Sequence, residues 1–536
     1  MSSRRFGRFG SGLLFVVPLA FLAVFFVWPV GAILARGLFA HGSLDLGAIG
    51  DAVRDPAIRH VAWFTVWQAT LSTLATLAIA LAATAVLSRY QFVGRGLVIA
   101  GLTMPFVLPT VVVATAFRGL GVDGSLTAIL LAHAFFNVAV VVRVVGAAWV
   151  GLDPRTVDAA RTLGAGPGRT FTAVTLPALR PAIAAAASIV FLFCFTSFGV
   201  ILILGGPRFA TLETEIYRAT AQLLDLRTAA ALSVIQLVAV AIVLVVAGRA
   251  AGRSRRVSRT ARTGPRMTGA RTRAGAVLAS ALAAVLVGWP LLALVRRSFA
   301  HGAAGYSNLA RTPLGASSSG FHALGTSVEI AIVAATLATG LGLALATAIT
   351  RPRVRRDGNR RPRLAVRMTE SLAVLPLGVS AVTVGFGFLI VFDTPPLALR
   401  TSWWIIPIAH ALVALPFVVR ATVPTLRAVD PHQREVAALL GATPARVWRE
   451  VDARIAARAA VVAAGFAFAS SLGEFGATLF IVRPETTTAP VAIFRFLSRP
   501  GATNVDQAMA LATLLAALTG IVALVGERLT ARRTTV

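Results

Sequence analysis

The chain has 536 residues, of which 57% are hydrophobic and 13% are charged, and its formal net charge is +30 at pH 7. This apolar composition excludes a soluble globular protein and predicts an integral membrane protein with many spans. All 51 basic residues are arginine, and enrichment of basic residues in cytoplasmic loops explains them better than nucleic-acid binding does. The single cysteine, Cys194, excludes an intramolecular disulfide and a cysteine-based zinc site.

Apolar stretches of about 20 residues predict twelve membrane spans in two sets of six, and thus an all-α polytopic membrane protein. The N-terminal apolar run is too long for a signal-peptide core, so we expect it to remain as the first span. The first set lies near residues 12–35, 62–87, 97–120, 126–150, 182–204 and 228–248. The second set lies near residues 274–296, 323–350, 370–393, 402–426, 457–481 and 505–526.

A basic segment, residues 249–273, lies between the two sets and carries nine arginines and no acidic residue. We interpret it as a solvated cytoplasmic linker whose charge can lie against anionic lipid. It separates a first membrane-spanning half, residues 1–248, from a second half, residues 274–536. If the N-terminus is cytoplasmic, every arginine-rich loop is cytoplasmic too, and six spans per half return the C-terminus to the same side.

A short polar motif occurs twice, 277 residues apart, in equivalent loops of the two halves, residues 151–181 and 427–456. The first copy runs from Asp158 to Gly164 and the second from Glu435 to Gly441. In each copy an acidic residue precedes helix-forming residues and a glycine follows them, which predicts a helix of about two turns. Because a short helix in a polar loop is poorly suited to a lipid environment, we expect it to contact a soluble partner.

These loops resemble the EAA loop of bacterial ABC-transporter permeases, whose acid-small-small segment and later glycine form the coupling helix that docks on the ATPase. By this resemblance the following residues couple to ATPase subunits: Asp158, Ala159, Ala160, Gly164, Glu435, Ala437 and Gly441. The second copy departs from the pattern at Val436, which replaces the first alanine, and at Ala453-Arg454, which replaces a Leu-Pro pair. We therefore expect the two halves to bind the partner unequally.

The sequence contains no lysine and therefore no P-loop, because that motif needs a lysine to reach the nucleotide phosphates. If ATP drives this protein, a separate subunit hydrolyses it. No catalytic motif, metal-ligand cluster or cofactor motif is present, so we predict a transport subunit that is not an enzyme. His133 and His410 recur at the 277-residue spacing in spans 4 and 10, and we interpret them as packing or interhelical hydrogen-bond residues rather than a proton relay.

Five residues are candidates for the translocation path. Glu474 is an acid in a predicted span, where a charge is costly unless it faces a cavity or a partner. It either lines the path and favours a cation or makes a structural pair with a neighbouring helix, and both interpretations stay open. Its repeat counterpart is Ser197. Pro105, Pro109 and Pro376 interrupt spans 3 and 9, which marks either the path or simple packing kinks.

A chain with two fused halves resembles the permeases of thiamine importers and of iron(III) importers, and stretches such as residues 64–69 and 129–137 are closest to the thiamine type. The resemblance implies alternating access in a bacterial plasma membrane. An external binding protein would deliver a small cation, with thiamine favoured, while two ATPase subunits close on ATP. The alternative is a major-facilitator-type secondary transporter, but the loop at residues 89–96 lacks the aspartate expected of that class.

Overall fold

The computed structural model describes residues 14–40, 43–251, 270–311, 319–350 and 363–531. Two bent helix pairs lie among the long helices: Arg95–Val107 with Thr110–Gly119 at 108°, and Met368–Gly378 with Ala381–Val391 at 98°. If each pair is one span, there are twelve, numbered here as spans 1 to 12, and the predicted all-α polytopic fold is confirmed. The ten unbroken spans are Leu14–Leu38, Pro56–Arg89, Leu126–Val150, Pro167–Phe195, Leu226–Val246, Arg273–Ser298, Gly320–Thr350, Ile405–Arg427, Ala445–Leu472 and Ala502–Gly526.

Short helices fill the connections between the spans. Two of the predicted spans, 182–204 and 457–481, have the wrong bounds, because spans 5 and 11 begin earlier and end at Phe195 and Leu472. The apolar sequence continues past each of these ends into a separate short helix. The short helices are Gly47–Arg54, Pro154–Thr162, Gly199–Leu204, Leu212–Tyr217, Ala304–Arg311, Pro431–Leu439, Thr478–Ile481 and Ala489–Leu497, and one ribbon pairs Phe39–Ala40 with Ser43–Leu44.

The chain divides into two compact units, and each unit takes its first span from the other half of the sequence. One unit contains Met1–Leu46, Thr220–Ala230 and Ala303–Val536, and the other contains Gly47–Ala219 and Ala231–Gly302. Span 1 therefore groups with spans 8 to 12, and span 7 groups with spans 2 to 5 and most of span 6. The predicted division at the linker follows the sequence and stays a prediction, because linker residues 252–269 lie outside the described residues.

Spans 1 and 7 share a local irregularity that marks them as repeats. Each contains one turn of π-helix, Ala23–Val27 or Ala284–Gly288, directly before a Trp-Pro pair. The N–H of Trp28 bonds to the carbonyl of Ala23, five residues earlier, and Trp289 does the same in span 7. The proline that follows has no N–H to offer the helix, so a wider turn is tolerated there.

Small residues bring spans 8, 10 and 11 close together inside their unit. Their shared core consists mainly of alanines on the facing sides of the three helices. A Cβ atom added to Gly342 of span 8 would lie 2.5 Å from a methyl carbon of Val418 in span 10, so only glycine fits. Close packing through small residues is the usual way that helices associate in membranes. It holds together spans 10 and 11, which the second loop connects.

Candidate functional site

The two predicted motifs lie on short exposed helices, which we call the first loop helix, Pro154–Thr162, and the second loop helix, Pro431–Leu439. Each begins at an Asp-Pro pair. The carboxylates of Asp153 and Asp430 accept hydrogen bonds of 3.0 and 2.9 Å from the N–H two residues further along. The proline occupies the first helical position, where an N–H would have no helical partner. The same capping chemistry thus starts both helices.

A glycine ends each loop helix in the same way. Gly164 and Gly441 have φ values of 80° and 81°, in the left-handed region that favours glycine. The glycine N–H bonds to the carbonyl three residues earlier, at 2.9 and 3.0 Å, and the next N–H bonds to the carbonyl five residues earlier, at 3.0 Å in both copies. This is a Schellman cap. The glycine therefore sets the direction in which the chain leaves each helix.

The predicted start of both loop helices is wrong by four residues. Asp158 and Glu435 do not open their helices but lie in the middle of them, because the Asp-Pro pairs upstream already begin the helix. An aspartate before a proline combines a side-chain cap with a fixed φ, which is a stronger start than an acid within the first turn. The Asp-Pro pair recurs at the same 277-residue spacing as the motif, so the sequence itself contains the signal for the start of both helices.

The loop helices are largely exposed in the isolated chain. Neither helix contains a buried residue, and Ala160 and Ala437 are only partly covered. Three leucines at or just beyond the helix ends are more than four-fifths exposed: Leu163 at 88%, Leu439 at 86% and Leu440 at 83%. Grouped apolar side chains in water are costly for a protein without a partner, so these ends have the character of an interaction surface.

In the part of the chain that the structure describes, a side-chain ion pair ties the second loop helix, but not the first, to the span that follows it. The Arg434 guanidinium donates to the Asp452 carboxylate at 2.8 Å and to the Leu426 carbonyl at 3.2 Å. The Asp452 side chain is 9% exposed, so this is a largely buried ion pair. The positions 277 residues earlier hold Val157 and Thr175, which cannot form such a pair.

Glu474 lies in the break between span 11 and the short helix Thr478–Ile481. Its two carboxylate oxygens accept hydrogen bonds from the Ala477 N–H at 2.8 Å and the Thr478 N–H at 3.0 Å. The Thr478 hydroxyl also contacts this carboxylate, and the His410 imidazole lies 3.2 Å away. The Glu474 side chain is 4% exposed, so bulk water does not supply acceptors for these N–H groups. The carboxylate supplies them instead and thereby caps the short helix.

His410 connects spans 10 and 11 through hydroxyl groups. Its Nδ1 lies 2.7 Å from the Ser471 hydroxyl, and its Nε2 lies 2.7 Å from the Thr478 hydroxyl. If the Thr478 hydroxyl donates to Glu474, its oxygen is available to accept from Nε2–H, and Ser471 then donates to Nδ1. We call the group of His410, Ser471, Glu474 and Thr478 the acidic node.

His133 makes the corresponding group in the first half without an acid. Its Nδ1 lies 2.9 Å from the Ser72 hydroxyl of span 2, and its Nε2 lies 2.9 Å from the Ser197 hydroxyl. Ser197 is the repeat counterpart of Glu474, so the same imidazole position faces a hydroxyl in one half and a carboxylate in the other. We call the group of His133, Ser72 and Ser197 the neutral node.

The three candidate prolines lie where spans 3 and 9 bend. Pro105 lies in a 3-10 turn over Met104–Val107, and Pro109 occupies the N-cap position of the helix that follows, without a side-chain cap. Pro376 lies in the equivalent turn of span 9, where Ser380 takes the place of Pro109 and its hydroxyl caps the next helix by accepting from the Thr383 N–H at 3.1 Å. The bends of 108° and 98° are much larger than packing kinks, so the helix is interrupted in both pairs.

Comparison with known proteins gives a consistent set of relatives. The family described as "Binding-protein-dependent transport system inner membrane component" matches residues 75–257. The thiamine transport system permease protein ThiP of Brucella abortus is 28% identical, with 96% of this chain and 95% of that protein covered. ThiP of Escherichia coli K12 is 26% identical over 82% of this chain and 84% of that protein. A protein of Sinorhizobium fredii described as a probable ABC transporter permease is 26% identical over 95% of each chain.

Because similarity to the Brucella protein runs through both halves, the duplicated unit belongs to one transport subunit. The chain is a fused two-half ABC-transporter permease. The permease is a multi-pass plasma-membrane protein and, like its relatives, a transport subunit rather than an enzyme. Permeases of this class work with an ATPase subunit and a substrate-binding protein. Among the residues that the structure describes, no group of three or more His, Cys, Asp or Glu side chains could hold a metal ion.

Sequence reasoning missed two hydroxyl groups of the permease, one in span 2 and one in span 8. Each accepts a hydrogen bond from the first N–H of a short helix. The Thr65 hydroxyl of span 2 accepts a bond of 3.0 Å from the N–H of Leu212, the first residue of the helix Leu212–Tyr217. The Ser327 hydroxyl of span 8 accepts one of 2.7 Å from the N–H of Ala489, which begins Ala489–Leu497. In the sequence, Thr65 and Ser327 have the same spacing as Arg89 and Arg351, which lie at the ends of the stretches that form spans 2 and 8. That shared spacing is the signal that could have found the two hydroxyls.

Proposed function

We propose that the permease is the membrane subunit of an importer that moves a small cation, with thiamine favoured over iron(III), from an external binding protein into the cytoplasm. The observation that carries the proposal is the pair of exposed loop helices, capped identically at both ends and presenting leucines to solvent. Two copies of one partner would fit two such surfaces. The names of the ThiP relatives favour thiamine as the cargo.

We propose that each loop helix docks one ATPase subunit on the cytoplasmic side. The coupling residues are those of the repeated motif: Asp158, Ala159, Ala160, Gly164, Glu435, Ala437 and Gly441. Each loop helix connects two spans through tight caps, so a displacement of the ATPase reaches the spans as a rigid-body motion rather than being lost in a flexible loop. The ATPase closes on ATP, and the two six-span halves rock to expose the path inward.

For the path, we propose that Ser197, Pro105, Pro109 and Pro376 lie along it and that Glu474 supports its wall. Breaks in corresponding spans are where transporters build substrate sites, because unwound backbone offers polar groups inside the membrane. Glu474 is 4% exposed, and its oxygens are occupied by backbone and side-chain donors. We therefore propose that Glu474 affects a cation without direct contact, through its negative charge and through the backbone at Ala477 and Thr478 that it holds in place.

Transport by reconstituted protein tests this function. The permease is placed in liposomes with its ATPase and binding protein, and uptake of labelled thiamine is measured with and without ATP inside the liposomes. We expect uptake only with ATP, and competition by excess thiamine but not by iron(III) chelate. Uptake driven by a proton gradient in the permease alone would overturn the assignment, whereas ATP-dependent uptake of iron(III) instead of thiamine would change the cargo and keep the class.

Cysteine labelling tests the proposed orientation. The native Cys194 is buried, so single cysteines placed at Leu163 and Leu440 can be followed against a low background. We expect a membrane-impermeant thiol reagent to label both positions in inside-out vesicles and neither in intact cells. Labelling of the two positions from opposite sides would contradict the proposed parallel halves with cytoplasmic termini.

A further inference from the structure

An open groove of about 990 Å³ runs along the start of span 7 in the unit that contains spans 2 to 5. One wall is the turn after span 2, residues 91–93, where the Val93 side chain is fully exposed. The other wall is span 7 from Arg273 to Ala284. Among the described residues, no acidic residue lines the groove. It lies outside every part of the transport site described above.

The wall from span 7 is one face of a helix with a charge at one end. Arg273, Val277, Ala281 and Ala284 follow one another at spacings of four, four and three residues, which places them on the same side. Eleven residues of helix rise about 16 Å, and one leaflet of the hydrocarbon core is about 15 Å deep. The groove therefore has the depth of one leaflet, with small apolar side chains below a guanidinium group.

The arginine at the mouth of the groove, Arg273, differs in its contacts from the two arginines that flank the turn after span 2. Arg89 stacks over the Trp149 ring at 5.8 Å, and Arg95 donates to the Leu87 carbonyl at 2.8 Å. Arg273 has no hydrogen-bond or ion-pair partner among the described residues. Residue 91, a glutamine, adds a side-chain amide that can donate to a phosphate oxygen.

We propose that this groove binds one anionic phospholipid, with its phosphate at Arg273 and an acyl chain along Val277, Ala281 and Ala284. Basic pockets between membrane helices take anionic head groups in this way. The apolar wall accepts any acyl chain, so the head-group preference comes from Arg273. The lipid fills the space between span 7 and the turn after span 2 and thereby holds span 7 on its unit.

Native mass spectrometry of the full permease tests the site. The protein is purified in detergent and mixed with equal amounts of phosphatidylglycerol and phosphatidylcholine with the same acyl chains. We expect one bound phosphatidylglycerol to be favoured and Arg273→Gln to reduce that preference about fivefold, which corresponds to about 1 kcal/mol for one basic residue at a charged surface. Arg296→Gln, at the other end of the same span, is the matched control and should leave the preference unchanged.

A second pair of variants tests the acyl-chain wall. Val277 lines the groove and is 69% exposed, whereas Leu278 beside it does not line the groove and is 67% exposed. Val277→Trp fills the groove and should remove the bound lipid whatever its head group, and Leu278→Trp should not. An unchanged preference in Arg273→Gln, or lipid retained equally in both tryptophan variants, would show non-specific annular lipid only and overturn the proposal.

Discussion

The first and second loop helices begin and end alike but differ in what holds them to the protein. The second has the ion pair of Arg434 with Asp452, which links the helix to the start of span 11. The first has Val157 and Thr175 at these positions, and these two residues cannot form such an ion pair. A helix with a side-chain tie moves with its span, whereas a helix held by its caps can tilt about its ends. The halves therefore differ in stiffness at the same step of coupling.

The two histidine nodes repeat this contrast inside the membrane. In the acidic node the Glu474 carboxylate satisfies two N–H groups at the break after span 11. In the neutral node the Ser197 hydroxyl contacts only the imidazole among its side-chain partners in the described structure. Hydrogen bonds to a charged group are worth more than neutral ones. Both differences make the second half the firmer of the two, and the predictions below test that asymmetry.

The largest effect is expected from the glycines that both halves share. Gly164→Pro and Gly441→Pro should each abolish uptake while the chain still inserts, because proline fixes φ near about −65° and cannot adopt the 80° and 81° of these positions. The measurement is ATP-dependent uptake in liposomes, with insertion checked by membrane fractionation.

The matched control for the glycine variants lies two residues beyond the first cap. Gly166 has a φ of −63° and a ψ of 167°, which proline can adopt before another proline. Gly166→Pro should therefore transport normally. Normal uptake by both cap variants would show that the Schellman caps do not direct the coupling helices.

The next effect should separate the two loop helices. Asp452→Asn leaves Arg434 without its charged partner in a largely buried place, and removal of one partner of a buried pair is destabilising. We expect uptake to fall about tenfold, equivalent to about 1.4 kcal/mol of coupling free energy. Thr175→Ala at the equivalent position of the first half should change uptake by no more than about 2.3-fold, which corresponds to roughly 0.5 kcal/mol for a single uncharged group.

The reversed pair provides the control for the ion pair. Arg434→Asp combined with Asp452→Arg should recover part of the lost uptake, because the opposite charges meet again. If Asp452→Asn and Thr175→Ala reduce uptake equally, the ion pair that holds the second loop helix to span 11 does not contribute to transport. If the reversed pair is no better than Asp452→Asn, the interaction is not electrostatic.

Glu474→Gln should weaken transport of the cation more than it weakens assembly with the ATPase. The glutamine amide brings an NH₂ group toward N–H donors, so one acceptor of the acidic node is lost. We expect about 2 kcal/mol of stability to be lost, the range for a hydrogen bond to a charged group, against about 1 kcal/mol for Ser197→Ala. Thermal unfolding and uptake are measured together, and equal transport by wild type and Glu474→Gln would leave Glu474 with a structural role only.

The sequence predicted parts that depend on local chemistry and missed those that depend on distant contacts. Hydrophobic runs and the two motif copies were enough for twelve spans and two loop helices, because apolar length and caps act within a few residues. The exchange of spans 1 and 7 between units was not predictable, because a hydrophobic run does not indicate which other helices pack against it. Arg434 with Asp452, and His410 with Glu474, were missed as pairs for the same reason.

The smallest effects are expected for a hydrogen bond that both halves make in the same way. The Thr65 and Ser327 hydroxyls each accept the first N–H of a short helix, at 3.0 and 2.7 Å. Thr65→Val and Ser327→Ala should each cost about 1 kcal/mol, as for a neutral buried hydrogen bond, and the two losses should be similar. Hydrogen exchange of the Leu212 and Ala489 amides measures the local loss directly. A clearly larger loss for Ser327→Ala would mean that the second half is also the firmer one at this contact. The asymmetry would then extend beyond the second loop helix and the acidic node, where the charges lie.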